Sequence, residues 1–122
     1  RSVRTQKEFW GYAPAEQLTV EELNREEYQG IRPAIGYPSL PDQSVIFIID
    51  SILRVKDIGI ELTPNGAMFP HSSVCGMMLS HPAARYFAIG EISDEQLHDY
   101  SERRGMPEEE IRRFLSRNVR EA

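Results

Sequence analysis

The chain has 122 residues, 40% hydrophobic and 27% charged, the composition of one compact soluble domain with a modest core. Fourteen basic against nineteen acidic residues leave a net charge of −5, and no long basic block occurs, which argues against a nucleic-acid surface. A single cysteine, Cys75, rules out an intrachain disulfide and a cysteine-rich metal site.

No run of about 18 apolar residues and no signal-peptide pattern is present, so no membrane association is expected and the setting reads as reducing and cytoplasmic. The chain opens on Arg1 and passes straight into polar helical sequence, as a piece cut from something longer would. Residues 1–122 are read as a single domain.

Along the chain, "TQKEFWGYAP" predicts the end of a helix closed by Gly11 and Pro14. "LTVEEL" follows with Thr19 as N-cap, Glu22 three residues on and Leu18 able to staple onto Leu23, which predicts a helix from Val20 to about Gln29. In "SLPDQSVIFIIDSILRV" the β-branched content favours strand. Yet Val45, Ile48, Ile49, Ile52 and Leu53 follow the i, i+3, i+4, i+7, i+8 spacing of a helical face, and helix is the reading taken. "DIGIELT" alternates as a half-buried strand, and "PNGAMFPHSS" reads as a turn and an irregular loop. "SVCGMMLSH" and "RYFAIGEI" read as two strands paired antiparallel across Pro82. "ISDEQL" repeats the capping logic with Ser93, Gln96 and an Ile92–Leu97 staple, for a helix ending at Gly105. A last helix starts near Pro107, acidic first and basic later, as its dipole prefers. The fold class is therefore α+β, an antiparallel sheet flanked by helices.

"GIRPAIGYP", Gly30 to Pro38, is a stiffened loop. Pro33 and Pro38 bias Arg32 and Tyr37 towards extended backbone, and Gly36 permits a close approach or a positive φ. Arg32 then presents a rigid guanidinium fork suited to a carboxylate or phosphate. A plain structural turn with Arg32 in a surface ion pair satisfies the same residues.

"REEYQGIRPAIGYPSLPD" and, further on, "ELTPNGAMFPHSSVCGMMLSHPAARYFAIGEISDEQLHDYSERRGM" resemble the activation (reactivation) domain of cobalamin-dependent methionine synthase. The resemblance runs from "FWGY" to "RRFLSRNV" and corresponds to the C-terminal portion of that domain, with its twisted antiparallel sheet. It implies a module that binds S-adenosylmethionine and offers the methyl group to the cobalt of an oxidised cobalamin, cob(II)alamin, so that the enzyme can again methylate homocysteine. The cobalamin is held by a partner module, on the same or a separate chain, and a flavodoxin-like reductant supplies the electron. The fragment is then part of a methyltransferase without being catalytic alone, and no catalytic residue is assigned.

By the same resemblance, Arg32 matches the arginine that binds the donor, through its methionyl carboxylate. Ala34 lies where backbone reaches the adenosyl end, and Tyr37 matches a tyrosine near the cobalt face. Tyr86 and Phe87 match paired aromatics lining the donor site, where ring faces favour a sulfonium. Alternation on a strand would equally turn one of the two into the core. Glu26 matches an acidic position of the donor site; an exposed helix carboxylate is the other reading. "AMFPHSS", Ala67 to Ser73, matches the loop approaching the corrin. His71 is nevertheless not taken as a cobalt ligand. His81 reads as structural, His98 as solvated and Cys75 as a small buried hydrophobe, and no metal site is expected.

Two departures stand out. The family's upstream acidic residue, paired with the donor amino group, has no counterpart here, and "LSRNVREA" replaces the usual "LxPNLxY" ending. A non-catalytic interaction or regulatory module that keeps the fold without donor binding is the alternative, and an independent small enzyme lacks any catalytic arrangement.

Overall fold

A computed structural model describes residues 15–120, so the helix end expected before Pro14 lies outside the described residues. The chain divides into two compact units, Arg1–Arg32 with Met78–Arg85, and Pro33–Met77 with Tyr86–Ala122.

The first unit carries helix α1, Val20–Asn24, started by the expected capping box. The Thr19 side chain accepts from the Glu22 N–H while the Glu22 carboxylate accepts from the Thr19 N–H. The helix stops five residues short of Gln29. Glu26 takes a left-handed backbone, φ 59°, where a residue with a Cβ pays about 1–2 kcal/mol, so Glu26 terminates α1 instead of extending it. In the same unit Ile31 and Leu79 exchange both backbone hydrogen bonds, at 3.1 and 2.9 Å.

The second unit contains helix α2 (Val45–Leu53), a 3-10 turn (Val55–Ile58), the antiparallel strands β1 (Glu61–Leu62) and β2 (Met68–Phe69), and helices α3 (Asp94–Arg104) and α4 (Glu108–Phe114). Its core joins α3 to α4 and the chain beyond. Leu97, Ile111, Leu115 and Val119 are buried together, with Ile92, Tyr100 and Met106 packed against them. The Ser93–Gln96 capping box starts α3 and Gly105, in left-handed conformation, ends it, both as the sequence predicts. The α+β class holds.

Further expectations need correction. Asp57 and Ile58 of "DIGIELT" lie in the 3-10 turn, leaving only Glu61–Leu62 as strand, and Met68–Phe69, within the stretch read as turn and irregular loop, form β2. The segments "SVCGMMLSH" and "RYFAIGEI" form no hairpin with each other. Within the second unit, Gly76 bridges Ala34 instead, and Ile89 donates to the Pro38 carbonyl at 3.1 Å. Alternating apolar residues specify extended backbone but not its partner, and here the partner is the proline–glycine loop. In α2, a helix as predicted, the side chain buried is that of Ile46, while Ile48, Ile52 and Leu53 from the predicted core stripe are exposed.

Candidate functional site

The loop from Pro33 to Ser44 is built almost entirely from backbone constraints. Tyr37 donates to the Ala34 carbonyl at 3.3 Å, Leu40 to Tyr37 at 2.8 Å, and Gly36 to Leu40 at 2.9 Å, closing two overlapping turns. Gly36 sits at φ +85°, and a Cβ there would lie 2.2 Å from Gln43 Oε1, so only glycine fits without displacing that side chain. Gln43 is itself held, its Nε2 donating to the Gly66 carbonyl at 2.7 Å. On the facing segment a Cβ at Gly76 would meet the Pro33 carbonyl oxygen at 2.6 Å. Glycine there lets Met77 donate to Pro33 and Ile35 to Cys75, each at 3.1 Å.

The turn bearing Tyr37 is fastened to the segment bearing Phe87. The Ser39 hydroxyl donates to the Phe87 carbonyl at 2.5 Å and accepts from the Phe87 N–H at 3.0 Å. The two aromatic side chains remain in solvent, Tyr37 65% and Phe87 62% exposed. An aromatic held outward by a rigid backbone is available to a ligand at little entropic cost.

The downstream end of the loop is anchored by Asp42, 4% exposed. Its Oδ1 accepts from the Ser44 N–H and hydroxyl, at 2.8 and 2.6 Å. Its Oδ2 accepts from the Tyr100 hydroxyl and from Arg104 Nη1, each at 2.5 Å. Tyr100 and Arg104 lie one turn apart on α3, so the helix presents both to one carboxylate. Burial, with the Asp42 hydrogen bond next, raises the Tyr100 phenol above its ordinary pKa. Desolvation pulls the Arg104 guanidinium down, but its contacts with Tyr100 and Asp42 outweigh that and leave it raised.

The six residues singled out in the sequence fall in both units. In the first, Arg32 is half-buried and Glu26 exposed. In the second, Ala34 is half-buried at its bridge to Gly76, and Tyr37, Tyr86 and Phe87 are exposed. The structure joins the turn of Tyr37 to the segment of Phe87 through Ser39 and Pro38. Sequence reasoning missed Ser39, Gln43 and the Asp42–Tyr100–Arg104 anchor. The helical spacing of Tyr100 and Arg104 was the one available signal.

The histidines have other surroundings. His71 makes an edge-on ring contact with Phe69, centroids 5.5 Å apart. His81 Nδ1 accepts from the Ala83 N–H at 3.0 Å, and exposed His98 lies between Glu102 and Glu108. Among the described residues no group of three or more His, Cys, Asp or Glu side chains is placed to hold a metal ion. No helix among them is long and apolar enough to cross a membrane. Cys75 is half-buried, and burial pushes its thiol pKa up, which makes it a poorer nucleophile. A cavity of about 400 Å³ bordered by Leu40, Val45, Ile89, Tyr100 and Leu115 includes none of the six residues. Its polar walls are engaged internally, and it is not taken as the site.

The motifs and the fold agree with known proteins. Residues 2–105 match the family described as vitamin B12 dependent methionine synthase, activation domain. A crystal structure of the MetH reactivation domain bound to AdoHcy matches at 44% identity and a TM-score of 0.87. The match covers 98% of this chain and 37% of that one, so the chain spans well under half the length of that solved domain. With a matched segment this long, an agreeing fold and the ordered motifs around the pinned loop, the chain belongs to the family of vitamin B12-dependent methionine synthase activation domains.

Proposed function

We propose that residues 1–122 work as one module, the C-terminal portion of a methionine synthase activation domain, that binds S-adenosylmethionine and presents its methyl group for reactivation of the enzyme. The observation that carries this reading is the AdoHcy bound in the matched solved domain, since AdoHcy is what remains of S-adenosylmethionine once the methyl group has left.

In this reading the Arg32 guanidinium pairs with the methionyl carboxylate through two parallel N–H···O bonds. Backbone at Ala34 receives the adenosyl end, and its bridge to Gly76 keeps that backbone from yielding. Tyr86 and Phe87 offer ring faces to the sulfonium, with Phe87 steadied by Ser39. Tyr37 looks towards the corrin, and Glu26 supplies a carboxylate to the donor. Cobalamin, held by a partner module, supplies the cobalt that accepts the methyl group, with one electron from a flavodoxin-like reductant. The chain's own task is to bind the donor, orient its methyl group and exclude water. The methylation of homocysteine belongs to the complete enzyme, and a cytoplasmic setting goes with it.

Calorimetric titration of S-adenosylmethionine tests this, in a single polypeptide that joins the chain to the part of the solved reactivation domain outside the match. Arg32→Ala is expected to weaken binding by about 10- to 150-fold, the loss of a charge-assisted pair. Equal affinities would remove Arg32 from the site. Absence of heat from the unaltered protein would overturn donor binding and leave a non-catalytic interaction module.

A further inference from the structure

Helix α2, Val45–Leu53, is apolar except at Asp50, which accepts from the Val55 N–H, and Ser51, which donates to the Ile48 carbonyl. Ile46 points into the unit and is fully buried, and Phe47 meets Phe114 edge-on, centroids 6.4 Å apart. Ile48, Ile52 and Leu53 remain 46%, 73% and 68% exposed, followed by Ile58 in the adjoining turn at 76%. A soluble helix normally turns its apolar stripe inward and leaves its polar side to water, and here part of the apolar stripe stands in water. Nine residues reach less than half of the roughly 20 needed to cross a bilayer, so a membrane does not explain this one.

We infer that the Ile48–Ile52–Leu53 face of α2 is an interface for the portion of the reactivation-domain fold that the matched solved chain has and this chain does not span. The matched segment takes in 98% of this chain, α2 with it, but only 37% of the solved chain. Most of that fold is therefore additional polypeptide available to cover an apolar face. The inference rests on family membership and the exposure of α2, not on donor binding, so either can fail alone.

The test mixes the 122-residue chain with a separate polypeptide comprising the solved domain outside the matched segment. Complex mass is read by light scattering, and affinity by calorimetry. The expected result is a one-to-one complex that Ile48→Glu and Ile52→Glu each weaken at least about 30-fold, because a carboxylate replaces a buried isoleucine. Glu109→Gln, on the exposed side of α4, should leave affinity unchanged. Circular dichroism of the free variants checks that they keep the parent's helix content. If the free chain gains helix only on mixing, the same variants should reduce that gain. No complex, a complex indifferent to both variants, or self-association of this chain through the same face would each overturn the inference.

Discussion

Replacing Asp42 with alanine removes four hydrogen-bond acceptances at once and leaves a buried cation behind. The Arg104 side chain is only 14% exposed at this contact, and without the carboxylate its guanidinium has neither counter-charge nor full hydration. A buried ion pair adds little over a well-packed apolar pair, yet removing one partner alone costs about 3–5 kcal/mol. Tyr100 and Ser44 lose partners too, but these losses overlap with the first and do not simply add. Asp42→Ala should therefore destabilise the chain by about 3–5 kcal/mol, a large part of the roughly 5–15 kcal/mol that folded domains possess. Urea unfolding followed by circular dichroism gives that figure, and the thermal midpoint should fall by about 10–20 °C. The double variant Asp42→Ala/Arg104→Met should be at least about 1 kcal/mol more stable than Asp42→Ala, because the uncompensated charge is gone. A loss below about 1 kcal/mol for Asp42→Ala, or no recovery in the double variant, would refute the anchor.

The raised Tyr100 phenol predicts a stability contribution fully present below its ordinary pKa of 10.0 and lost as pH rises through the higher folded value. In a Cys75→Ala background, which removes the raised thiol, urea midpoints from pH 8 to 11 should fall less steeply for Tyr100→Phe than for its parent. Gly36→Ala should cost about 1–3 kcal/mol by thermal melting, from the positive φ and the displaced Gln43 amide. Gln43→Ala in that background should recover part of the cost, and no recovery would count against the steric account. Ser39→Ala should cost about 1 kcal/mol and speed exchange of the Phe87 amide hydrogen at least about fivefold; unchanged exchange would mean that the hydroxyl does not hold that segment.

Much of the helical structure was legible because its signals are local. Thr19 with Glu22 and Ser93 with Gln96 are three residues apart, and Gly105 stops α3 by its own left-handed backbone. The spacing of α2 gave the right element and the wrong buried face. An amphipathic pattern says which residues seek cover, and Ile48 and Ile52 find it only in part within the described residues. Strand pairing failed for a related reason. Nothing near Gly76 or Ile89 in sequence names Ala34 or Pro38 as partners, and the fit at Gly76 depends on the missing Cβ meeting the Pro33 carbonyl. For the proposed donor contacts, Arg32, Tyr37, Tyr86 and Phe87 were suggested by the family motif alone. The clamps on that motif were hidden because Ser39 and Phe87 lie 48 positions apart.

The anchor also bears on the order in which the chain can organise itself. Asp42 meets Tyr100 and Arg104 across 58 and 62 positions, so its carboxylate has no buried partner on α3 until that helix has formed and docked. During synthesis the ribosome completes the entire GIRPAIGYP motif long before those residues emerge. A chain cut before Asp94 would retain every residue proposed to touch the donor and lack the clasp at the downstream end of the Pro33–Ser44 loop. The proline–glycine loop is thus a late-maturing element, finished by a helix that carries none of the proposed donor contacts.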